Sequence, residues 1–340
     1  MNKLLIVIIF LLTINVYAKS TIVMDLDSQR ILYKNNAYEK KLIASTTKIM
    51  TFVVAYEYGF YLLDEYVEAK DEILSMYGTS IYLNYHEKMT LRDLLYGLMM
   101  RSGNDAAVVI ARYIGGNEEN FVKLMNEKAQ EIGMKNTVFA NPHGLDEATQ
   151  NYSTAYDMAL LSCYAYKIPF YREVSGTKYY KTKTLNKAYS WTNRNKLLFL
   201  YANLTGGKTG YTPKAGKTFV STASSANLNL TIVSLDDANH YENHQVLYNE
   251  YFKEFKNYVI VDKNSFNQNT QNMYLLNDIV YPLKKDEYNH ITYKLFSNEN
   301  SNYLKVYLHG VEVLEQKIYI KNSELNVSKS FWQRVKDFFK

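Results

Sequence analysis

The spacing of the apolar residues changes period twice along the chain, and this limits the folds open to it. The stretch "STIVMDLDSQRILYKNN" alternates apolar and polar residues around Asp27-Ser28, the pattern of a β-hairpin. Helical spacing then takes over, with a long apolar helix beginning near Ser45 and two helices between Thr90 and Gly116 broken at "RSGN". An amphipathic helix follows, with Phe121, Leu124, Met125 and Ala129 on one side, and then another near Thr154 to Tyr166. Beyond Gly206 the two-residue period returns in "KTGYT", "KTFVSTAS" and "LNLTIVSLD", followed by a helix from about Tyr241 to Phe255. Helices enclosed between early and late strands imply an α/β arrangement whose sheet closes between distant parts of the chain.

Local signals sharpen this reading. Thr90 and Asp93 form a capping box ahead of Leu91, Leu94, Leu95 and Leu98, and Gly115-Gly116 ends the second helix of that pair. The basic, tyrosine-rich stretch from Lys178 to Lys187 reads as a surface hairpin or loop. Residues 19–257 form the main domain. Residues 258–325, with short alternating stretches such as "YVIVD" and "YLKVYLHGVEVLEQKIYI", form a small all-β domain.

The two ends differ in character. Residues 1–18, "MNKLLIVIIFLLTINVYA", combine an early lysine, a short apolar run and small residues at Val16 and Ala18, the pattern of a secretory signal peptide on an exported protein. In residues 326–340, Phe331, Trp332, Val335, Phe338 and Phe339 share one helical face opposite Lys329, Arg334, Lys336 and Lys340. That segment is too short to span a bilayer but suited to lying on one. Cys163 is the only cysteine, so no disulfide framework exists, and the thiol is expected to be a buried apolar filler. The net charge of +5 is mild and mixed and gives no nucleic-acid footprint.

"ASTTKIMTFVVAY" carries the first chemical signal. A hydroxyl needs an adjacent base to act as a nucleophile at neutral pH. Lys48 lies three positions after Ser45 and one helical turn deeper, among Ile49, Phe52, Val53 and Tyr56. Burial there disfavours the charged amine and equips it to take the serine proton. The same spacing recurs at Ser175-Gly176-Thr177-Lys178, but no buried helix follows it, and the match is a coincidence. His240 and His244 are four apart, yet "HYENH" lacks the glutamate of a zinc protease helix, and both are expected at the surface. No metal or organic cofactor is implied.

Two further elements complete the pattern: "SGN" at Ser102 to Asn104, in the break between two helices, and "KTG" at Lys208 to Gly210, opening a strand. In this order the three resemble the S-x-x-K, S-x-N and K-T-G elements of the serine penicillin-recognising enzymes. From about Ser20 to Phe255 the chain is similar to the D-alanyl-D-alanine carboxypeptidases, the low-molecular-mass penicillin-binding proteins, through "LRDLLYGLMMRSGNDAA", "ANPHGLD", "NRNKLL" and "GGKTGYTPKAG".

The resemblance implies a β-lactamase/transpeptidase-like domain, a mostly antiparallel sheet flanked by helices, with a small β domain and a membrane-binding C-terminal helix. It implies that Ser45 is the acylated nucleophile, Lys48 its base, and Ser102 with Asn104 the proton relay and peptide-orienting pair. Lys208 and Thr209 would hold the substrate's terminal carboxylate, with the charge of Lys208 helping to keep Lys48 neutral. Gly210 would let the peptide lie along the strand, the N–H groups of Ser45 and Tyr211 would form the oxyanion hole, and Arg194 would stand near the cleft.

The implied substrate is a peptidoglycan pentapeptide ending in D-Ala-D-Ala, with β-lactams as acylating inhibitors, at the outer face of the cytoplasmic membrane. Tyr211 stands where some relatives have histidine, and no arginine occurs near His240 where many carry one. Two other readings remain. A class A β-lactamase shares the motif order, and Glu147 with Asn151 mimics its E-x-x-x-N element; a non-catalytic wall-binding protein would keep the cleft without turnover.

Overall fold

The structure is a computed structural model that describes residues 20–270, 272–298 and 301–320. The expected signal peptide and C-terminal amphipathic helix lie outside the described residues. Among the described residues, no helix is long and apolar enough to cross a membrane.

The chain enters through β1 (Ser20–Asp25) and β2 (Ile31–Asn35), which pair antiparallel as the hairpin pattern requires. A helical block follows: α1 (Lys48–Gly59), α2 (Leu91–Tyr96), α3 (Asn104–Gly115), α4 (Glu118–Ile132), α5 (Ala155–Tyr166) and α6 (Pro169–Gly176). Side-chain caps start three of them. Thr90, Asn117 and Thr154 each accept a hydrogen bond from the backbone N–H three residues on. Pro169 pre-sets the first turn of α6, a helix too short to leave a clear periodic signal.

A hairpin of β3 (Tyr179–Lys183) and β4 (Ala188–Thr192) leads through the one-turn helix α7 (Leu197–Leu200) into β5 (Leu204–Thr212), β6 (Gly216–Ser225) and β7 (Leu228–Leu235). The main sheet has the order β2-β1-β7-β6-β5 and is antiparallel throughout, so the first strand pairs with the last one in sequence. Strand β5 is left as an open edge. Helix α8 (His240–Glu254) covers one face of the sheet through Leu247, Tyr248 and Tyr251, packed on Phe219, Leu230 and Ile232. The opposite face, through Ile22, Met24, Val220, Val233 and Leu235, joins the larger core built by the helical block. Both faces of β7 are therefore buried, which explains its nearly continuous apolar run.

Helix α1 is the axis of that larger core. Ten of its twelve residues are buried, as an all-round apolar helix demands. Its two charged side chains near the ends meet different fates. Glu57 forms an ion pair with Lys128 at 2.7 Å and accepts the Tyr164 hydroxyl, whereas Lys48 meets no carboxylate in an ion pair among the described residues. Cys163 is buried beside Met24, its thiol pushed well above the usual range by burial.

Helix α8 runs directly into β8 (Phe255–Val261), whose first residue, Phe255, still packs in the core beneath α8 and whose last, Val261, packs with the later strands. Strand β8 pairs with β9 (Ile279–Lys284), and a meander of β10 (Ile291–Asn298), β11 (Ser301–Leu308) and β12 (Val311–Ile320) packs around Val261, Leu304, Val306 and Ile318. A short helix, α9 (Lys263–Asn269), interrupts the strands; Asp262 caps it by accepting from the Ser265 N–H. Arg30 of the first hairpin ties the units together by donating to Glu287 and to the Pro282 carbonyl.

Asp25 ends β1 fully buried. One carboxylate oxygen accepts from the Ser28 N–H and hydroxyl, and the other has no hydrogen-bond partner among the described residues. Burial raises its pKa to about 6, against the pull of the Ser28 bonds. A carboxyl group whose folded pKa is raised costs stability as pH climbs from the unfolded value through the folded one. Asp25→Asn should therefore raise stability by about 1–3 kcal/mol at pH 7.5 and hardly change it near pH 4. Urea unfolding at both pH values measures this, and an equal effect at the two would refute it.

Candidate active site

The cleft is assembled from three directions. Residues Ala44–Thr47 make a single 3-10 turn, so α1 begins at Lys48 and Ser45 stands just before it rather than at its cap. The Thr46 and Thr47 hydroxyls tighten the turn by donating to the Ile43 and Ala44 carbonyls. From the second direction, α2 ends in a five-residue π turn, Gly97–Arg101, and the chain reverses at Ser102 with φ +61°. Ala44 also has positive φ, at +47°. Two non-glycine residues in this costly region flank one cleft, a placement typical of strain stored at working sites.

From the third direction comes the open edge of β5. A Cβ on Gly210 would lie 2.8 Å from the Ser45 nitrogen and 3.1 Å from the Ala44 Cβ, so only glycine allows this approach. Gly144, at φ +89°, meets the same turn from the other side, where a Cβ would collide with the Ala44 carbonyl.

Lys48 is completely buried. Its Nζ lies 3.1 Å from Ser45 Oγ, 2.7 Å from Asn104 Oδ1 and 2.5 Å from the His143 carbonyl oxygen. Burial first, then the charges of Lys208 and Arg194, hold its pKa well below the usual lysine value, with Asp105 opposing. Lys208 is buried as well and pushed down to about 7, mainly by burial and further by Arg194. Its ammonium donates to Ser102 Oγ at 3.0 Å and to the Thr209 carbonyl at 2.6 Å.

A cleft of about 560 Å³ opens over these groups. Seven of the nine residues singled out in the sequence line it: Ser45, Ser102, Asn104, Arg194, Thr209, Gly210 and Tyr211. Lys48 and Lys208 stand behind the wall and reach it through Ser45 and Ser102. The segment before Ser80 braces the far side. The Asn104 N–H and side-chain amide donate to the Thr79 and Tyr77 carbonyls, and the Thr79 hydroxyl donates to the Ser102 carbonyl. Asp105 anchors that segment by accepting from the Ser80 hydroxyl and the Ile81 and Leu83 N–H groups.

The sequence reading missed several groups. The His143 carbonyl is a backbone atom and leaves no side-chain signature. Its loop is shaped by Asn141, whose Oδ1 accepts from the His143 and Gly144 N–H groups, and by Asn151, which bonds Asn141 and Thr47. Lys217, His240 and Tyr241 also line the cleft.

The histidines require a correction: His240 and His244 are buried, not at the surface. His244 bonds Ser221 Oγ at 2.7 Å and Ser234 Oγ at 2.9 Å, and burial keeps it neutral. The signal was available, because His240, His244, Leu247, Tyr248 and Tyr251 recur on one face of α8. Ser175 is buried against Gly206, and Lys178 lies over the Phe199 ring, so the second serine-lysine pair builds no site. Glu147 is exposed and does not line the cleft.

A serine, two buried amines and an amide gathered beside the open edge of an antiparallel sheet define the class of serine penicillin-recognising folds. Residues 12–239 match the sequence profile of the D-alanyl-D-alanine carboxypeptidases, peptidase family S11, and the chain belongs to that family. It is 38% identical over 215 residues to the D-alanyl-D-alanine carboxypeptidase DacF of Bacillus subtilis, covering 62% of this chain and 55% of the relative. The chain thus spans about half the length of the curated relatives it matches.

Among solved structures it resembles the carboxypeptidase DacD from Francisella tularensis, with 26% identity, a TM-score of 0.71 and coverage of 90% of this chain and 93% of that one. Penicillin binding protein 5 from Haemophilus influenzae shares the fold, at 24% identity and a TM-score of 0.75, with 90% and 96% covered.

The close approach at Gly210 gives a test. In Gly210→Ala the new methyl forces β5 away from the Ser45 turn, and covalent capture of a fluorescent penicillin should slow by about 100-fold or more. Stopped-flow acylation measures this. An unchanged rate would mean that the approach of β5 to Ser45 has no part in the chemistry.

Proposed function

We propose that the protein is a serine D-alanyl-D-alanine carboxypeptidase that removes the terminal D-alanine from peptidoglycan stem peptides through an acyl-enzyme on Ser45. One observation carries the proposal: Lys48 is wholly buried, touches Ser45, and has two carbonyl acceptors but no carboxylate partner among the described residues. A neutral amine fits this environment. Its two hydrogens go to Asn104 Oδ1 and the His143 carbonyl, leaving the lone pair for the Ser45 hydroxyl. An ammonium buried here without a counter-ion would be costly.

In this reading Ser45 Oγ attacks the carbonyl carbon of the penultimate residue as Lys48 takes its proton. The developing oxyanion is held by the N–H groups of Ser45 and Tyr211. The C–N bond breaks, and the amine of the departing D-alanine takes a proton relayed from Lys48 through Ser102. Water then hydrolyses the ester on Ser45.

Thr209 and Arg194 face the terminal carboxylate from the cleft wall. Lys208, buried behind Ser102 and donating to its Oγ, would help hold that carboxylate with its charge. Gly210 and the open edge of β5 favour a substrate peptide added as a further strand.

Export and attachment to the membrane through residues 326–340 belong to the same proposal, supported by the two terminal sequence patterns. The β-lactamase alternative gains nothing, because Glu147 sits at the surface and Asn151 is occupied in shaping the loop.

Two variants and a product analysis test the proposal. Mass spectrometry of muropeptides treated with the protein should show loss of a single alanine from pentapeptides, and Ser45→Ala should abolish both this and penicillin labelling. Lys48→Arg places an unyielding cation at the base position and should slow acylation by about 100- to 10,000-fold. The wild-type acylation rate should fall on acidification as Lys48 gains its proton. Turnover or labelling surviving in Ser45→Ala, or a wild-type acylation rate in Lys48→Arg, would end the assignment.

A further inference from the structure

Between Glu173 and Asp236 the chain carries nine lysines and arginines and no aspartate or glutamate. Such a run in a chain whose overall charge is only +5 concentrates cations on one part of the fold. Among the described residues, none of the nine forms an ion pair; the ion pairs present belong to other segments. Only Lys208 is buried.

The β3–β4 hairpin fixes four of these cations. Its inner face is aromatic: Tyr180 stacks on Tyr96 at 3.7 Å between centroids and lies near Trp191, and its hydroxyl donates to Asp93 at 2.6 Å. The strand alternation therefore turns Lys181 and Lys183 outward, with Lys178 exposed before them and Lys187, after the turn, half-buried over the Tyr189 ring and donating to the Tyr82 carbonyl.

The nearby carboxylates are already engaged. Asp93 also accepts from Thr90, Glu87 accepts from Thr184 and Tyr189, and Glu173 accepts from Tyr96. From the hairpin, β4 leads straight to Arg194 and Lys196 on the rim of the cleft. Six residues of extended chain span about 20 Å. The cations thus form one track from the hairpin tip to the catalytic opening.

We infer that this track is a docking surface for the carboxylate-bearing stem peptides of polymeric peptidoglycan, holding neighbouring stems of the wall while one enters the cleft. The inference rests on the functional reading above. A single soluble peptide reaches only the rim, whereas a polymer that repeats its carboxylates along its length can engage hairpin and rim together. Exposed cations of this kind raise encounter with a polyanion in a salt-dependent way and leave the bond-making step unchanged.

The test compares wild type with a Lys178→Gln, Lys181→Gln, Lys183→Gln, Lys187→Gln variant in co-sedimentation with purified sacculi freed of phosphate-containing polymers. Wild type should bind, with binding falling as salt rises. The variant should bind about tenfold more weakly with a flatter salt dependence, while its acylation by penicillin stays within about twofold of wild type. Sacculi whose stem carboxylates have been amidated should lose wild-type binding to the same degree.

Equal binding by the variant, undiminished binding to amidated sacculi, or failure of wild type to bind once phosphate polymers are removed would each overturn the inference. Absence of penicillin labelling at Ser45 would instead overturn the catalytic reading, and the sedimentation result would be unaffected by it.

Discussion

Everything around the cleft answers to the cost of burying the Lys48 amine without a counter-ion. A charge so placed is expensive unless it is paired, and the fold supplies carbonyl oxygens and two further cations instead of a carboxylate. At the other end of the same helix, Glu57 receives Lys128 at 2.7 Å. One helix therefore solves the same problem in two ways. The paired end locks packing, and the unpaired end leaves an amine 3.1 Å from the Ser45 hydroxyl.

Holding that arrangement takes contributions from segments far apart in sequence. The His143 carbonyl depends on the Asn141–Asn151 hydrogen bonds, and Asn151 reaches back to Thr47 in the turn that carries Ser45. Asn104 depends on Tyr77 and Thr79, which Asp105 holds through the following loop. The Thr218 hydroxyl in β6 donates to the Ile43 carbonyl, fixing the turn against the sheet. Each contact spans a different pair of elements, so displacing any one of them alters the hydrogen bonds of the buried amine.

The parts of the fold that rest on side-chain periodicity were legible from the sequence. The strands at Ser20–Asp25 and Leu228–Leu235 announce themselves by alternation or continuous apolar runs, and Thr90 and Thr154 start helices by a capping mechanism visible in single residues. What escaped notice has other physical origins. The π turn before Ser102 and the left-handed Ala44 are backbone states that carry no composition signal. Helix α6 is shorter than the window that periodicity needs. His240 and His244 looked polar, yet they join the apolar face of α8, where Ser221 and Ser234 satisfy the ring of His244. The burial of Lys208 behind Ser102 was not legible either: β5 turns that side chain inward at a strand position opposite Val220, where its amine donates to Ser102 Oγ.

His240 gives the cleft its least expected feature. It is 8% exposed, lines the cavity, and its Nδ1 has no hydrogen-bond partner among the described residues. Burial and the neighbouring Lys217 favour the neutral ring. A buried polar atom left open costs free energy that an occupant of the cleft can recover. Arg194, Lys196 and Lys217 also line the cleft, with Lys208 buried behind Ser102, and His240 adds a neutral hydrogen-bonding group to that lining. A peptide seated along β5 would therefore meet diffuse positive charge and one directional contact, not a single fixed ion pair. Under the proposed function such a site would recognise a carboxylate mainly by field, and Arg194 and Lys196 would link the cleft to the cations of the hairpin.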